Sequence, residues 1–285
     1  MSEKIENKKS KDLTAKIKKY SVYILLAIGA LVTIFPVIYT FILASRSRAD
    51  IFGYPPPMWF GDQFMVNFRA LMAEVPFIRN ILNTIFMSTV GTLLTLFFCS
   101  LGGYGFAKYD FKGKNVLFFL MLATMMIPAT LAIIPWYIMM DFFGWINTFY
   151  PFIIPGAANA FGIFLMTQFM KEIPDDIIDA ARIDGCGEFE IFLKIALPLS
   201  LPGLGTLAIF SFMGIYNNYI QALLVLESDH MLNISVALSR LSGRIGANWG
   251  AQLVGAALGI APIVIAFLLA SKQFISGLTA GARKG

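Results

Sequence analysis

Apolar residues along this chain do not alternate with polar ones. They run in blocks of about twenty, separated by short charged or Gly- and Pro-rich connections. Blocks of that length suit helices that cross the ~30 Å hydrocarbon core of a bilayer. Six spans are predicted, at 20–44, 81–107, 115–140, 152–170, 201–226 and 251–271. The first exceeds the apolar core of about 15 residues in a signal peptide, so it reads as an uncleaved span, although the small residues of LASRS follow it. The expected fold class is an all-α integral membrane protein with six transmembrane helices. A basic N-terminal segment at 1–19 precedes a single transmembrane domain over 20–285.

Composition agrees. Of 285 residues 58% are hydrophobic and 14% charged, with mean hydropathy +0.72, where a soluble domain carries about 25% charged residues. The net charge of +5 raises the question of nucleic acid, and its placement argues against such a partner. With the N-terminus inside, 16 of the 22 Lys and Arg, including every lysine, fall on the cytoplasmic side: in 1–19, KYDFKGKN, the stretch from Lys171 through the 173–200 loop and the C-terminal tail. The outer loops hold Arg46, Arg48, Arg69, Arg79, Arg240 and Arg244. Positive charge is retained in the cytoplasm, so both termini are expected there and the chain is expected to be multi-pass in the cytoplasmic (inner) membrane. Membrane lipid is then its first partner.

Several chemistries are excluded or weakened. Cys99 and Cys186 fall in different compartments, so neither a disulfide nor a metal pair is expected, and His230, the one histidine, reads as a solvated loop residue. No charged residue lies within the six spans as drawn, which weakens an ion-driven carrier, because such carriers bind and release charge at membrane depth. Gly113-Lys114 is followed by Asn115 and lacks the upstream glycine of a phosphate-cradling loop. The chain reads as a non-enzyme with no cofactor of its own; uphill transport would draw its energy from another polypeptide.

One charged stretch interrupts the hydrocarbon: KEIPDDIIDAARIDGCGEFEIFLKIALPLSLPGL. Pro174 suits a first helical turn, Asp175 and Asp176 place negative charge at the positive end of the helix dipole, and Gly185 supplies a left-handed stop. Ile177, Ile178, Ala180, Ala181 and Ile183 are expected to form an apolar side, and Asp179 and Arg182 to pair. A second amphipathic segment follows, with Phe189, Phe192 and Ile195 on one face, broken at Leu197-Pro198. From the residues alone, an ordinary interfacial loop joining two spans is as good a reading as a docking helix.

The spacing carries a resemblance. Asp179-Ala180-Ala181, three residues, Gly185, nine residues, then Ile195-Ala196-Leu197-Pro198 resembles the EAA loop of inner-membrane permeases of binding-protein-dependent ABC importers, with aspartate where the family usually has glutamate. The likeness extends over nearly the whole chain. It is greatest to the carbohydrate-uptake branch and the second permease of maltose-type importers, through ARIDG and the C-terminal FISGLTAGARKG. Asn83-Thr84 stands where relatives carry Asn-Ser, and Tyr216-Asn217-Asn218-Tyr219 where many carry Trp-Asn. The resemblance implies that the loop is a coupling helix docking on an ATP-hydrolysing subunit, through Asp176, Asp179, Ala180, Ala181, Arg182, Asp184 and Gly185. It further implies a second homologous permease, an ATP-binding subunit dimer that holds ATP and Mg, and an extracellular solute-binding protein. The cargo implied is a sugar or oligosaccharide; another solute such as glycerol phosphate, or a stand-alone carrier or channel, is the alternative.

Other residues remain open between roles. Asn217, Asn218 and Gln221 place amides in span five, suited either to interhelical hydrogen bonds or to sugar hydroxyls along a substrate pathway. Ala251, Gly255 and Gly259 form a small-residue ladder for helix packing. Met58, Trp59 and Phe60 read as interfacial anchors or as part of a binding-protein surface, and loop 227–250 is a second candidate surface. The TAGARKG tail reads either as a frayed terminus or as reaching the ATPase.

Overall fold

The structure, a computed structural model, describes the backbone of residues 2–242 and 248–282 and the side chains of 16, 18–128, 130–241 and 248–272. Arg244 and the side chains of the TAGARKG tail lie outside the described residues. Among those described every regular element is helical. Two compact units are distinguished, one of Met1–Leu71 with Asn248–Ala257, the other of Met72–Ala247 with Leu258–Gly285.

The first unit is built on α1 (Ser2–Ala44), whose apolar side chains from Tyr20 to Ile38 are exposed. The chain past its end is tied by polar groups, beside buried Ala44 and Leu71. Asn67, on α2 (Phe64–Glu74), donates its amide to the Ala44 and Arg46 carbonyls, both at 2.9 Å. Arg46 donates to the Trp59 carbonyl at 2.8 Å, and the Ser45 hydroxyl accepts from the Gly61 amide at 2.7 Å. Trp59 itself is 79% exposed.

The second unit is packed on α3 (Phe77–Lys108), 32 residues and so about 48 Å long. Around it come α4 (Lys114–Thr124), α5 (Ile133–Phe142), α6 (Ala160–Lys171), α7 (Asp175–Ile183), α8 (Glu188–Leu199), α9 (Leu201–Tyr216), α10 (Ile220–Val225) and α11 (Ile234–Ser242). α12 (Trp249–Ala282) gives its first turns, to Ala257, to the first unit and the remainder to this one. Glycines let the helices close up: a Cβ at Gly103 on α3 would lie 2.7 Å from Met166 Cβ and 2.9 Å from the Thr167 nitrogen of α6. Likewise a Cβ at Gly162 would fall 2.5 Å from Cys99 Sγ, and one at Gly203 on α9 would fall 2.6 Å from the Phe169 ring. Lipid offers helices no hydrophobic drive to associate, so contact area gained by close approach is what holds them.

Among the described residues three helices are long and apolar enough to cross a membrane, within Lys18–Ala44, Phe77–Lys108 and Trp249–Lys272. The other spans drawn from the sequence are interrupted. Span three, drawn unbroken over 115–140, divides at Pro128 into α4, a short 3₁₀ turn and α5, since a proline pushes the residue before it out of helical geometry. Span four, drawn from 152, has only a single turn before Pro155-Gly156, and its main helix starts at Ala160, capped by Asn159 accepting from the Gly162 amide at 2.8 Å. Carbonyls freed at that break are met from α3, by the Thr95 hydroxyl to Gly156 at 3.3 Å and the Cys99 thiol to Ala157 at 3.5 Å. Span five, drawn over 201–226, breaks at Asn217–Tyr219 between α9 and α10, and the freed Asn218 carbonyl accepts from the Asn233 amide at 2.6 Å.

The start of α3 grips the loop before α11. Asn80 donates to the carbonyls of Asp229 (2.8 Å) and Leu232 (3.1 Å), Asn83 to those of His230 (2.8 Å) and Leu232 (3.2 Å). The Thr84 hydroxyl accepts from the Ile234 amide at 2.8 Å. Asn147, at φ 57°, holds the same loop from the other side, accepting from the Glu227 and Ser228 amides at 3.1 Å each.

Gly103→Val is expected to destabilise the bundle by about 1–3 kcal/mol through overpacking, seen as a lower unfolding midpoint in detergent. Gly105→Ala, where an added Cβ meets nothing within 4 Å, is the control expected to leave the midpoint unchanged.

Candidate functional site

The charged stretch folds as two short helices, α7 and α8, at the α6 and Lys108 end of the bundle. Pro174 precedes α7, Asp175 and Asp176 occupy its first turn, and Gly185 follows at φ +85°. That left-handed residue lets the Cys186 amide bond the Ala181 carbonyl at 3.0 Å and closes the helix. No atom lies within 4 Å of a Cβ built on Gly185, so a side chain there would be strained by the backbone angle and not by crowding.

The single apolar side drawn for this helix divides into two. Ile178 (1% exposed) and Ala181 are buried in a core with Met166, Met170, Ile191 and Phe192. Ile177, Ala180 and Ile183 turn outward with Asp176, Asp179 and Asp184, and all are exposed. The reason is angular: positions 178 and 181 stack on one face at three-residue spacing, while 177, 180 and 184 share the next. Of the two alanines, therefore, one anchors the helix to its own chain and the other is open.

The second segment also differs from the sequence reading. Phe189 is 56% exposed, and the buried positions are Ile191, Phe192 and Ala196. A π-wound turn over Phe192–Ala196 shifts the face, with the Leu197 amide reaching back to the Phe192 carbonyl. This wider turn accommodates Pro198, whose ring would clash with the carbonyl four residues back in an α-helix. The break consequently falls at Ser200 rather than at Leu197-Pro198, and α8 meets α9 at 81°.

Ion pairs fix the elbow. Arg182 pairs with Asp179 at 2.9 Å, as expected from their spacing, and also with Glu188 across the turn at 2.7 Å. Tyr109 donates its hydroxyl to the other Glu188 oxygen at 2.5 Å. The Arg182 guanidinium, then the Tyr109 hydroxyl, hold the Glu188 carboxyl below the usual carboxylate range. Lys108 pairs with Asp175 at 2.7 Å and donates to the Ile173 carbonyl, its side chain only 4% exposed, and so lowers the Asp175 carboxyl in turn. Lys108, Tyr109 and Glu188 were not among the residues singled out from the sequence. The signal available was KYD at the end of span two, where lysine served only to orient the chain.

Asn217, Asn218 and Gln221 come together at the break in span five, lining with Thr130, Ile133 and Tyr219 an open recess of about 520 Å³. The Asn218 amide donates to Gln221 at 2.5 Å, whereas no described residue bonds the exposed Asn217 side chain. The Asn218–Gln221 bond is local, between residues three apart, and does not join two spans. In the small-residue ladder, the Gly259 carbonyl accepts from the Tyr216 hydroxyl at 2.8 Å, a contact within the chain. Among the described residues no cluster of His, Cys, Asp and Glu is arranged to hold a metal ion.

Residues 99–274 match the family of binding-protein-dependent transport system inner membrane components. The arabinooligosaccharides transport system permease protein AraQ of Bacillus subtilis (strain 168) is 37% identical over 203 residues, covering 71% of this chain and 72% of that one. The lactose transport system permease protein LacG of Rhizobium radiobacter is 30% identical over 256 residues, covering 90% and 93%. Among solved structures, a chain of a bacterial ABC transporter involved in the import of the acidic polysaccharide alginate superposes with a TM-score of 0.77 at 26% identity, covering 91% of this chain and 97% of that one. A match over more than half the length, carrying the whole α7–α8 elbow, settles the family: the chain belongs to the binding-protein-dependent transport system inner membrane components and is a multi-pass membrane permease.

Proposed function

We propose that this chain is one six-span permease subunit of an ATP-driven importer for a sugar or oligosaccharide, in the cytoplasmic membrane with both termini inside. The observation that carries the reading is the two-faced elbow: α7 is fixed to the bundle by Ile178 and Ala181 while Asp176, Asp179, Ala180 and Asp184 stay open. Such a rigid, outward-facing helix suits docking by a soluble partner, and the permease relatives support sugar as the cargo.

In this reading the docking partner is an ATP-binding subunit dimer, which holds ATP and Mg and performs the hydrolysis. Asp176, Asp179, Ala180, Arg182, Asp184 and Gly185 meet it, and Ala181 acts from beneath by seating the helix. The apolar side chains exposed on α1, α4 and α5 face lipid and a second, homologous permease. An extracellular solute-binding protein delivers the sugar on the opposite side. The amides of Asn217, Asn218 and Gln221 line the passage, where they can exchange hydrogen bonds with sugar hydroxyls as these shed water. Closure of the ATPase dimer on nucleotide moves the elbow as a rigid body and opens the bundle outward.

Mild-detergent purification of the tagged chain is expected to bring down an ATP-binding subunit and a second permease; ATP-independent uptake by the chain alone in liposomes would overturn the reading. Gly185→Val is expected to leave membrane insertion intact and to cut uptake by about tenfold or more, since a β-branched residue at positive φ costs roughly 1–3 kcal/mol and distorts the turn; normal uptake would remove the docking assignment. Asn217→Leu is expected to raise the KM for uptake several-fold with ATP hydrolysis retained, as read by initial-rate assays over a range of binding-protein concentrations.

A further inference from the structure

The elbow is joined to the bundle covalently through α6 and α9, and from sequence those two spans are the natural route for its motion. Both joints are bent. Pro174 stands between α6 and α7, and α8 meets α9 at 81°. Side chains provide a straighter connection to a third helix. Consecutive residues at the end of α3 hold the two arms of the elbow separately: Lys108 takes α7 at Asp175 and the Ile173 carbonyl, and Tyr109 takes α8 at Glu188. Arg182 then ties the arms to each other. Lys108 makes its pair from a buried position, where an ammonium left without its partner is costly, so this grip resists being pulled apart. Below it, Tyr104 packs on Tyr109 and on Phe192 of α8, at ring-centroid distances of 5.7 and 5.5 Å.

From that joint α3 runs unbroken to its other end, where Asn80, Asn83 and Thr84 hold loop 229–234 through five hydrogen bonds. Each of the three spans that break within the bundle would absorb a displacement at its break; α3 has none.

We propose that α3 is the transmission rod of this permease: Lys108 and Tyr109 are positioning residues that hand movement of the α7–α8 elbow to α3, which carries it to loop 229–234 on the opposite side. This rests on the reading of the elbow as an ATPase docking site. It adds a definite path, by which nucleotide state reaches the face that receives the solute-binding protein.

The test uses the whole complex purified with its ATPase and second permease in lipid nanodiscs. It carries His230→Cys as a reporter on the exposed loop and Cys186→Ser to silence the elbow thiol. The rate of modification by a charged maleimide is measured without nucleotide and after trapping with ATP and vanadate. In the parent the two rates are expected to differ by about fivefold. In Lys108→Met/Tyr109→Phe that difference is expected to vanish while ATP hydrolysis continues. An undiminished difference in the double variant overturns the proposal, and so does a parent whose loop does not respond to trapping. Should the double variant not assemble, Tyr109→Phe, which removes one oxygen, decides by the same ratio: about a twofold or greater loss of the response supports the joint, and a parent-like response overturns it. Absence of any ATPase in the purified complex would instead remove the importer reading itself, a result distinguishable from either.

Discussion

Close approach along α3 is the constraint from which the second unit follows. In hydrocarbon, apolar side chains gain nothing by leaving lipid for protein, so helices stay together through packing area and internally satisfied polar groups. Gly103, Gly162 and Gly203 remove the side chains that would keep α3, α6 and α9 apart. Once backbones are that near, buried Thr95 and Cys99 of α3 reach carbonyls of the chain before α6. The same closeness makes the broken spans tolerable.

Two of those breaks share one device. In spans four and five a short polar side chain from a neighbouring segment meets the released backbone: Thr95 and Cys99 at Gly156–Ala157, Asn233 at Asn218. Irregular backbone at membrane depth is stable only on that condition. At the break in span five the chain departs from helix and opens a recess edged with amides.

The elbow is held together by ordinary surface chemistry. Exposed ion pairs contribute little stability one at a time. Here Arg182, Asp179, Glu188 and Tyr109 form a connected set, and Lys108 adds a buried cation to it. Their service is geometric: they tie α7 and α8 to each other and to the end of α3.

Fold class, membrane embedding and the elbow were legible in the sequence because each rests on a local pattern. Block hydrophobicity does not depend on neighbours, and neither does a proline at a first turn or a glycine at a left-handed stop; Gly185 at φ +85° is where the sequence places that stop. The spacing from Asp179 to Pro198 likewise carried the family. What the sequence could not determine depends on which residues meet across space. Hydropathy is blind to the interruptions at Pro128, Asn159 and Asn217, since the flanking residues remain apolar, and at the latter two the compensating donors come from distant segments. The apolar side of α7 divides because the core sits under Ile178 and Ala181 alone, and no pattern within nine residues shows where a core lies. Lys108 and Tyr109 read as an ordinary basic loop until folding sets them about 65 and 80 positions upstream of their partners, within hydrogen-bonding distance. Local chemistry named the elbow; long-range packing alone decided what it is attached to.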